Sequence, residues 1–157
     1  SQCTGTCPTG NTCTRDPMNM NRYFCAPASC PGGCMCGQLR YEVPREMKTA
    51  AVCHCQMCQK STGAGAMTAA VYAAEDVKIA GDYKTFTYTS DAGRPVTNLF
   101  CPTCGSTVYY EIDQLPEFVA VPVGAFADPE FAAPTFSVYE ARKHGWVHVP
   151  ESIEHMD

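Results

Sequence analysis

Three tight cysteine knots punctuate the chain: Cys34-Met-Cys36, Cys53-His-Cys55-Gln-Met-Cys58 and Cys101-Pro-Thr-Cys104. Sulfurs at this spacing converge readily on one divalent ion, whereas a disulfide across so short a loop is strained. The spacing therefore predicts metal. Structural zinc takes four ligands, usually from two short pairs that are distant in sequence and meet in space. Cys34 and Cys36 supply one pair and Cys101 and Cys104 the other, with Pro102 fixing φ and Gly105 permitting a positive φ just after the last ligand. Cys53, Cys55 and Cys58 remain as a group of three. Three protein ligands with an exchangeable fourth distinguish catalytic from structural zinc. An all-sulfur set of that kind suits capture of another thiolate: the metal lowers the pKa of an incoming thiol, and the thiolate ligands keep the bound sulfur reactive toward a carbonyl carbon. The alternative is a closed, inert site whose fourth ligand is His54 or a cysteine of the N-terminal segment.

These knots need a scaffold, and 157 residues with 45% hydrophobic content are enough for one domain with its own core. Short runs rich in β-branched and aromatic residues, at 38–43, 66–72, 85–89, 107–110 and 118–121, alternate with turn residues and predict strands. One helical turn is expected from Cys55 through Thr62, and no sustained helical stripe occurs elsewhere. The fold class is mainly β. Residues 1–33 differ: Cys3, Cys7, Cys13, Cys25 and Cys30 sit among Thr, Gly, Pro and Asn without apolar periodicity, predicting an irregular Cys-rich extension. Residues 34–150 form the zinc-binding domain, and 151–157 a charged, frayed tail.

The formal charge of −5 and the absence of a Lys/Arg cluster argue against nucleic acid as partner. No apolar run reaches the roughly 20 residues that span a bilayer, and nothing near Ser1 reads as a secretory signal, so a cytoplasmic protein is expected. The extension qualifies that expectation. Its five cysteines could bind a third zinc, form disulfides or remain free; disulfides imply an oxidising compartment, thiolate zinc sites a reducing one.

Taken together, Gly33-Cys34-Met35-Cys36-Gly37 with Arg40-Tyr41, Cys53 through Lys60 with Gly63-Ala64, and Phe100 through Ser106 resemble the glutathione-dependent formaldehyde-activating enzyme family, which shares its domain with centromere protein V. Weaker similarity continues through Val119-Ala120-Val121, Asp128-Pro129 and Trp146. The resemblance implies an Mss4-like, zinc-stapled β-sheet fold. It also implies two zinc ions, one held by Cys34, Cys36, Cys101 and Cys104, the other by Cys53, Cys55 and Cys58. The implied activity is that of a carbon–sulfur lyase, condensing glutathione with formaldehyde to S-(hydroxymethyl)glutathione. Gln59 stands where the family often has a basic residue, a departure that bears on anion recognition near the second zinc; Lys60 either supplies that charge or is a solvated surface lysine.

Among neighbouring residues, Ser61, Thr62 and Ser106 are candidates to hydrogen-bond ligand sulfurs, with Lys60 and Ser61 read as contacts for the bound thiol. Gly63 and Gly65 read as close-approach positions. His144 and His148 flank Trp146 at strand spacing, which predicts both on one face. Tyr109, Tyr110, Phe118, Phe126 and Phe136 read as core or pocket wall. The competing functional reading is a non-catalytic zinc module that binds another protein or buffers metal or thiol. A methionine sulfoxide reductase on a related fold would need a redox-active cysteine outside the knots, and only the extension offers one.

Overall fold

A computed structural model describes residues 29–157 fully, and describes Thr12–Arg15 and Tyr23–Ala26 by their backbone pairing. Those two segments, β1 and β2, form an antiparallel pair with Cys13 opposite Cys25 in register. Next come β3 (Ser29–Gly33), β4 (Arg40–Pro44), β5 (Thr49–Cys53), helix α1 (Gln56–Thr62), β6 (Met67–Ala73) and β7 (Lys78–Ala80). The chain continues through β8 (Lys84–Thr89), β9 (Pro95–Phe100), β10 (Thr107–Ile112), β11 (Phe118–Pro122), β12 (Phe136–Val138) and β13 (Glu154–His155). The architecture is mainly β, as expected. One sheet has three strands in the order β3-β4-β7; the other has eight, in the order β13-β12-β5-β6-β11-β10-β9-β8.

Period-two alternation decides which side chains meet. On β4, Tyr41 and Val43 are buried while Arg40 and Glu42 are exposed. Tyr41, Val43 and Leu39 pack against Ala70 and Tyr72 of β6, Leu99 of β9, Val108 and Tyr109 of β10 and Val119 and Val121 of β11. This is the main core, between the two sheets. The intervening residues Ala69, Tyr110 and Ala120 form a second, smaller cluster with Met67 and Val96 on the other face of the large sheet. Phe126, in the 3-10 turn Val123–Phe126, meets the Tyr41 ring edge-on at 5.2 Å. Gly32 makes this packing possible, because a Cβ there would lie 2.2 Å from the Tyr41 hydroxyl oxygen.

Several elements differ from the sequence expectation. β3 falls within the segment expected to be irregular, yet pairs with β4 from Ser29↔Pro44 to Gly33↔Arg40. Its Pro31 is tolerated because β3 is an edge strand. The tail expected to fray carries β13, which pairs in parallel with β12; Met156 N donates to Ser137 O (2.9 Å) and His155 Nδ1 meets Glu140 Oε1 (2.7 Å). Residues 144–148 are not a strand: Val147 N turns back to His144 O, and the His144 ring stacks on Trp146 with centroids 5.3 Å apart. β5, β7, β9 and β12 were also unforeseen. Among the described residues no helix is long and apolar enough to cross a membrane.

Candidate metal centres and the adjoining cleft

Two hairpin tips make the first centre. Cys34 and Cys36 lie in the β3–β4 turn, closed by Gly37 N to Cys34 O (3.0 Å) with Gly37 at φ 74°. Cys101 and Cys104 lie in the β9–β10 turn, closed by Gly105 N to Cys101 O (2.9 Å) with Gly105 at φ 75°, the left-handed conformation its sequence position predicted. The four sulfurs all lie within 4.8 Å of one another, so the two sheets are joined where their turns meet. Backbone amides point at these sulfurs: Leu39 N at Cys34 Sγ (3.3 Å) and Thr103 N at Cys101 Sγ (3.4 Å). Ser106 supports both tips, its Oγ lying 3.4 Å from Cys104 Sγ and accepting from Met35 N (3.3 Å). Its hydrogen bond, with the Ser106 and Cys36 amides, brings the Cys104 thiol down to about 5. Cys36 is pulled down by the Gln38 amide but pushed up more by the neighbouring cysteine sulfurs, Cys34 first, to about 12.

The second centre is built where β5 turns into α1. Cys53 ends β5, Cys55 is the N-cap of α1, and Cys58 lies in its first turn. Cys55 Sγ accepts from Cys58 N at 3.3 Å, the bond a serine or aspartate cap makes in other helices. All three sulfurs lie within 4.8 Å of one another, and among the described residues no fourth His, Cys, Asp or Glu atom joins them. The group shares charge unevenly. Hydrogen bonds from Cys53 and Cys58 bring the Cys55 thiol down to about 2; the contact with Cys55 pushes Cys53 up to about 11, and contacts with Cys53 and then Cys55 raise Cys58, with burial adding to both. A divalent ion taken up here displaces protons from Cys53 and Cys58, so its affinity rises with pH.

His54, completely buried, points away from this group: its Nε2 is 3.1 Å from Ser137 Oγ of β12, and burial holds the imidazole below its usual range. It is a strut rather than a ligand. Cys30 is disulfide-bonded, which removes it as a ligand; Cys3 and Cys7 lie outside the described residues, and Cys13 and Cys25 are described only by their pairing. The third-zinc reading of the extension thus keeps only cysteines whose side chains are not described.

Ser61 and Thr62 do not bond sulfur. Both hydroxyls donate to Cys58 O, at 3.1 and 2.8 Å, and so fasten the end of the helix, where Gly63 caps at φ 68°. Lys60 is exposed on α1. Gly65 is a close-approach position, since a Cβ there would lie 2.8 Å from the Trp146 ring. Two tyrosines border the three-sulfur group. Burial, then the charges of Cys58 and other neighbours, raises the Tyr88 phenol; burial chiefly raises Tyr110, which is 2% exposed, while hydrogen bonds with Ser61 and Thr107 pull it back in part. From Tyr110, Ser61 and Thr62 a cleft of about 730 Å³ runs to Cys34, Met35 and Arg40.

These centres match a known pattern. The model of the family described as glutathione-dependent formaldehyde-activating enzyme matches residues 29–142. The chain belongs to this family. A structural-genomics crystal structure of a Rhodobacter sphaeroides protein is similar at 24% identity and a TM-score of 0.49, over 66% of this chain and 91% of that one. No curated protein matches the chain. The formaldehyde-activating enzyme match begins at the first residue of β3, the strand that carries the chain into the first knuckle.

Within this formaldehyde-activating enzyme scaffold, Gln59 has a structural task that the sequence did not reveal. Its Nε2 donates to His54 O (2.7 Å) and Arg142 O (3.1 Å), and its Oε1 lies 2.9 Å from His144 Nε2. Asp91 does similar work from the β8–β9 turn, accepting from Gln56 N (2.9 Å) and pairing with Arg142. The helix bearing Cys58 is thereby clamped by two loops far away in sequence. A Gln59→Leu variant leaves the His54 carbonyl and His144 without these partners and is expected to lose about 1–2 kcal/mol of stability by denaturant unfolding.

Proposed function

We propose that the chain is a zinc-dependent enzyme of the carbon–sulfur lyase type, joining a low-molecular-weight thiol of the glutathione class to formaldehyde or a similar small electrophile. In this reading Cys34, Cys36, Cys101 and Cys104 hold a structural zinc, and Cys53, Cys55 and Cys58 hold the second. The donor sets fit such ions: thiolate clusters at zinc-site spacing, with backbone amides directed at the sulfurs. Zinc at the three-sulfur group supplies Lewis acidity that lowers the pKa of an incoming thiol.

The chain itself does the positioning. Cys55 caps the helix that carries Cys58, His54 pins the β5 end of the group to β12, and Gln59 with Asp91 fixes the helix against both flanking loops. In the condensation a C–S bond forms between thiolate and carbonyl carbon while the C=O π bond breaks, and the thiol's proton ends on oxygen. Holding the two reactants in one geometry is the main gain. The observation that carries this reading is the three-sulfur group, which no fourth donor joins among the described residues, in a chain of an enzyme family.

Cobalt substitution tests it without turnover. Glutathione titrated into the cobalt-loaded chain is expected to shift the thiolate charge-transfer bands of one of two sites. Unchanged bands mean that the second site is closed, and the non-catalytic zinc module becomes the better description. Among the residues tied to the thiol by sequence, Ser61 borders the cleft and Lys60 does not.

A further inference from the structure

We infer that Glu140 is a positioning residue for the three-sulfur group: acting through Ser137, it holds the His54 ring and with it the peptide links that aim Cys53 and Cys55. This rests on the reading that the group holds a divalent ion, and adds what keeps its ligands set. Glu140 is not itself a member of the group.

The hydrogen-bonded line behind His54 gives the first argument. His54 is the single residue between two of the three sulfurs, and both its main chain and its ring are tied down. Its N donates to Val138 O (3.1 Å) and its carbonyl accepts from Gln59 Nε2 (2.7 Å). Its ring meets the Gly65 backbone and, through Nε2 at 3.1 Å, the Ser137 hydroxyl. A turn of the ring rotates the peptides on either side, and with them the Cβ directions of Cys53 and Cys55. A serine hydroxyl swings about its own Cβ–Oγ bond, so Ser137 steadies the ring only as well as it is itself steadied. Glu140 supplies that hold, because the Ser137 hydroxyl also bonds its carboxylate. That bond first, then His155 and Lys143, keeps the Glu140 carboxyl below its usual range against the opposing effect of burial. An ionised carboxylate only accepts, which sets the serine hydroxyl in one orientation.

The backbone gives the second. Ser137 and Glu140 are three positions apart, and β12 ends between them. Tyr139 then adopts φ 58° and ψ 41°, in the left-handed region, and opens the 3-10 turn Glu140–Arg142. A tyrosine there costs conformational energy, so the surrounding structure must hold it. This reversal turns Glu140 back toward Ser137 instead of letting it follow the strand away. Arg142 secures the turn, its N donating to Tyr139 O (3.0 Å) and its guanidinium lying 5.7 Å over the Tyr139 ring. The segment carrying β13 braces the other side: His155 Nδ1 is 2.7 Å from Glu140 Oε1, and Met156 N donates to Ser137 O (2.9 Å). Backbone strain, an ion pair and strand pairing thus converge on one carboxylate that reaches the sulfurs only through Ser137 and His54.

Cobalt binding to the full chain tests this without turnover. The charge-transfer bands of the three-sulfur group are assigned by their absence in Cys55→Ser, and affinities are read by competition with a chelator. Ser137→Ala and Glu140→Ala should each weaken cobalt at the three-sulfur group by about tenfold or more. The four-sulfur centre should be unchanged in both, and so reports folding within the same sample. Glu140→Gln keeps an oxygen that accepts from Ser137 and should recover most of the loss. Unchanged affinity of the three-sulfur group in Glu140→Ala overturns the proposal, as does equal weakening of both centres or a Glu140→Gln as weak as Glu140→Ala; the ion-binding reading survives each of these. A wild type that takes up a single cobalt overturns that reading and the proposal with it.

Discussion

Cys55→Ser is expected to lower thiol-dependent turnover by about 100-fold or more while the fold and the four-sulfur centre persist. The substitution is unusually clean because Cys55 has two separable tasks. Its sulfur belongs to the three-sulfur group and also caps α1 by accepting from Cys58 N. Serine is among the best N-cap residues, so its hydroxyl keeps the helix in place while the soft, readily ionised ligand is lost. Native mass spectrometry should then report one bound zinc, against the two expected for the wild type. Circular dichroism should be unchanged. Full activity in this variant would remove the three-sulfur group from the mechanism altogether.

Cys101→Ser should do the opposite and strike at folding. Cys101 is fully buried, and Cys36 and Cys101, 65 residues apart in sequence, bring their sulfurs within 3.7 Å. A metal at this centre ties the turn of the small sheet to the turn of the large one, so binding energy becomes folding energy. Loss of one of the four ligands is expected to cost at least about 3 kcal/mol, read as a lower midpoint in chemical denaturation. A strong chelator should bring the wild type down toward the variant and change the variant much less. If chelation leaves the wild-type midpoint where it was, the junction does not depend on metal.

Local chemistry made much of this legible. Sulfur spacing announced the knots, since neighbouring ligands two or three positions apart meet whatever the remaining fold does. Pro102 and Gly105 announced the second knuckle turn, and the short run after Cys55 its helix. The strands at 40–44, 67–73, 84–89, 107–112 and 118–122 followed from β-branched and aromatic alternation. The misses share a different cause. β3, with the sequence Ser-Cys-Pro-Gly-Gly, has no strand propensity and exists because β4 offers it an edge. β12 and β13 are three and two residues long, too short for periodicity, and are held by tertiary pairing alone. Ser137, Gln59 and Asp91 were invisible for the same reason, because each acts on a partner 35 or more positions away. No local pattern records such contacts.

The parallel pairing of β12 with β5 sets a kinetic order. Val138 aligns with Cys53, 85 positions earlier, and this strand delivers the Ser137 hydroxyl to His54. Such a contact has high contact order: its loop-closure entropy must be overcome before any of its bonds forms, so it belongs to the late steps of folding. The β9–β10 knuckle, an antiparallel hairpin, has no such delay. The turn that carries Cys101 and Cys104 can therefore form while the three-sulfur group still lacks a wall, and a chain ending before Phe136 would present β5 as an unprotected edge.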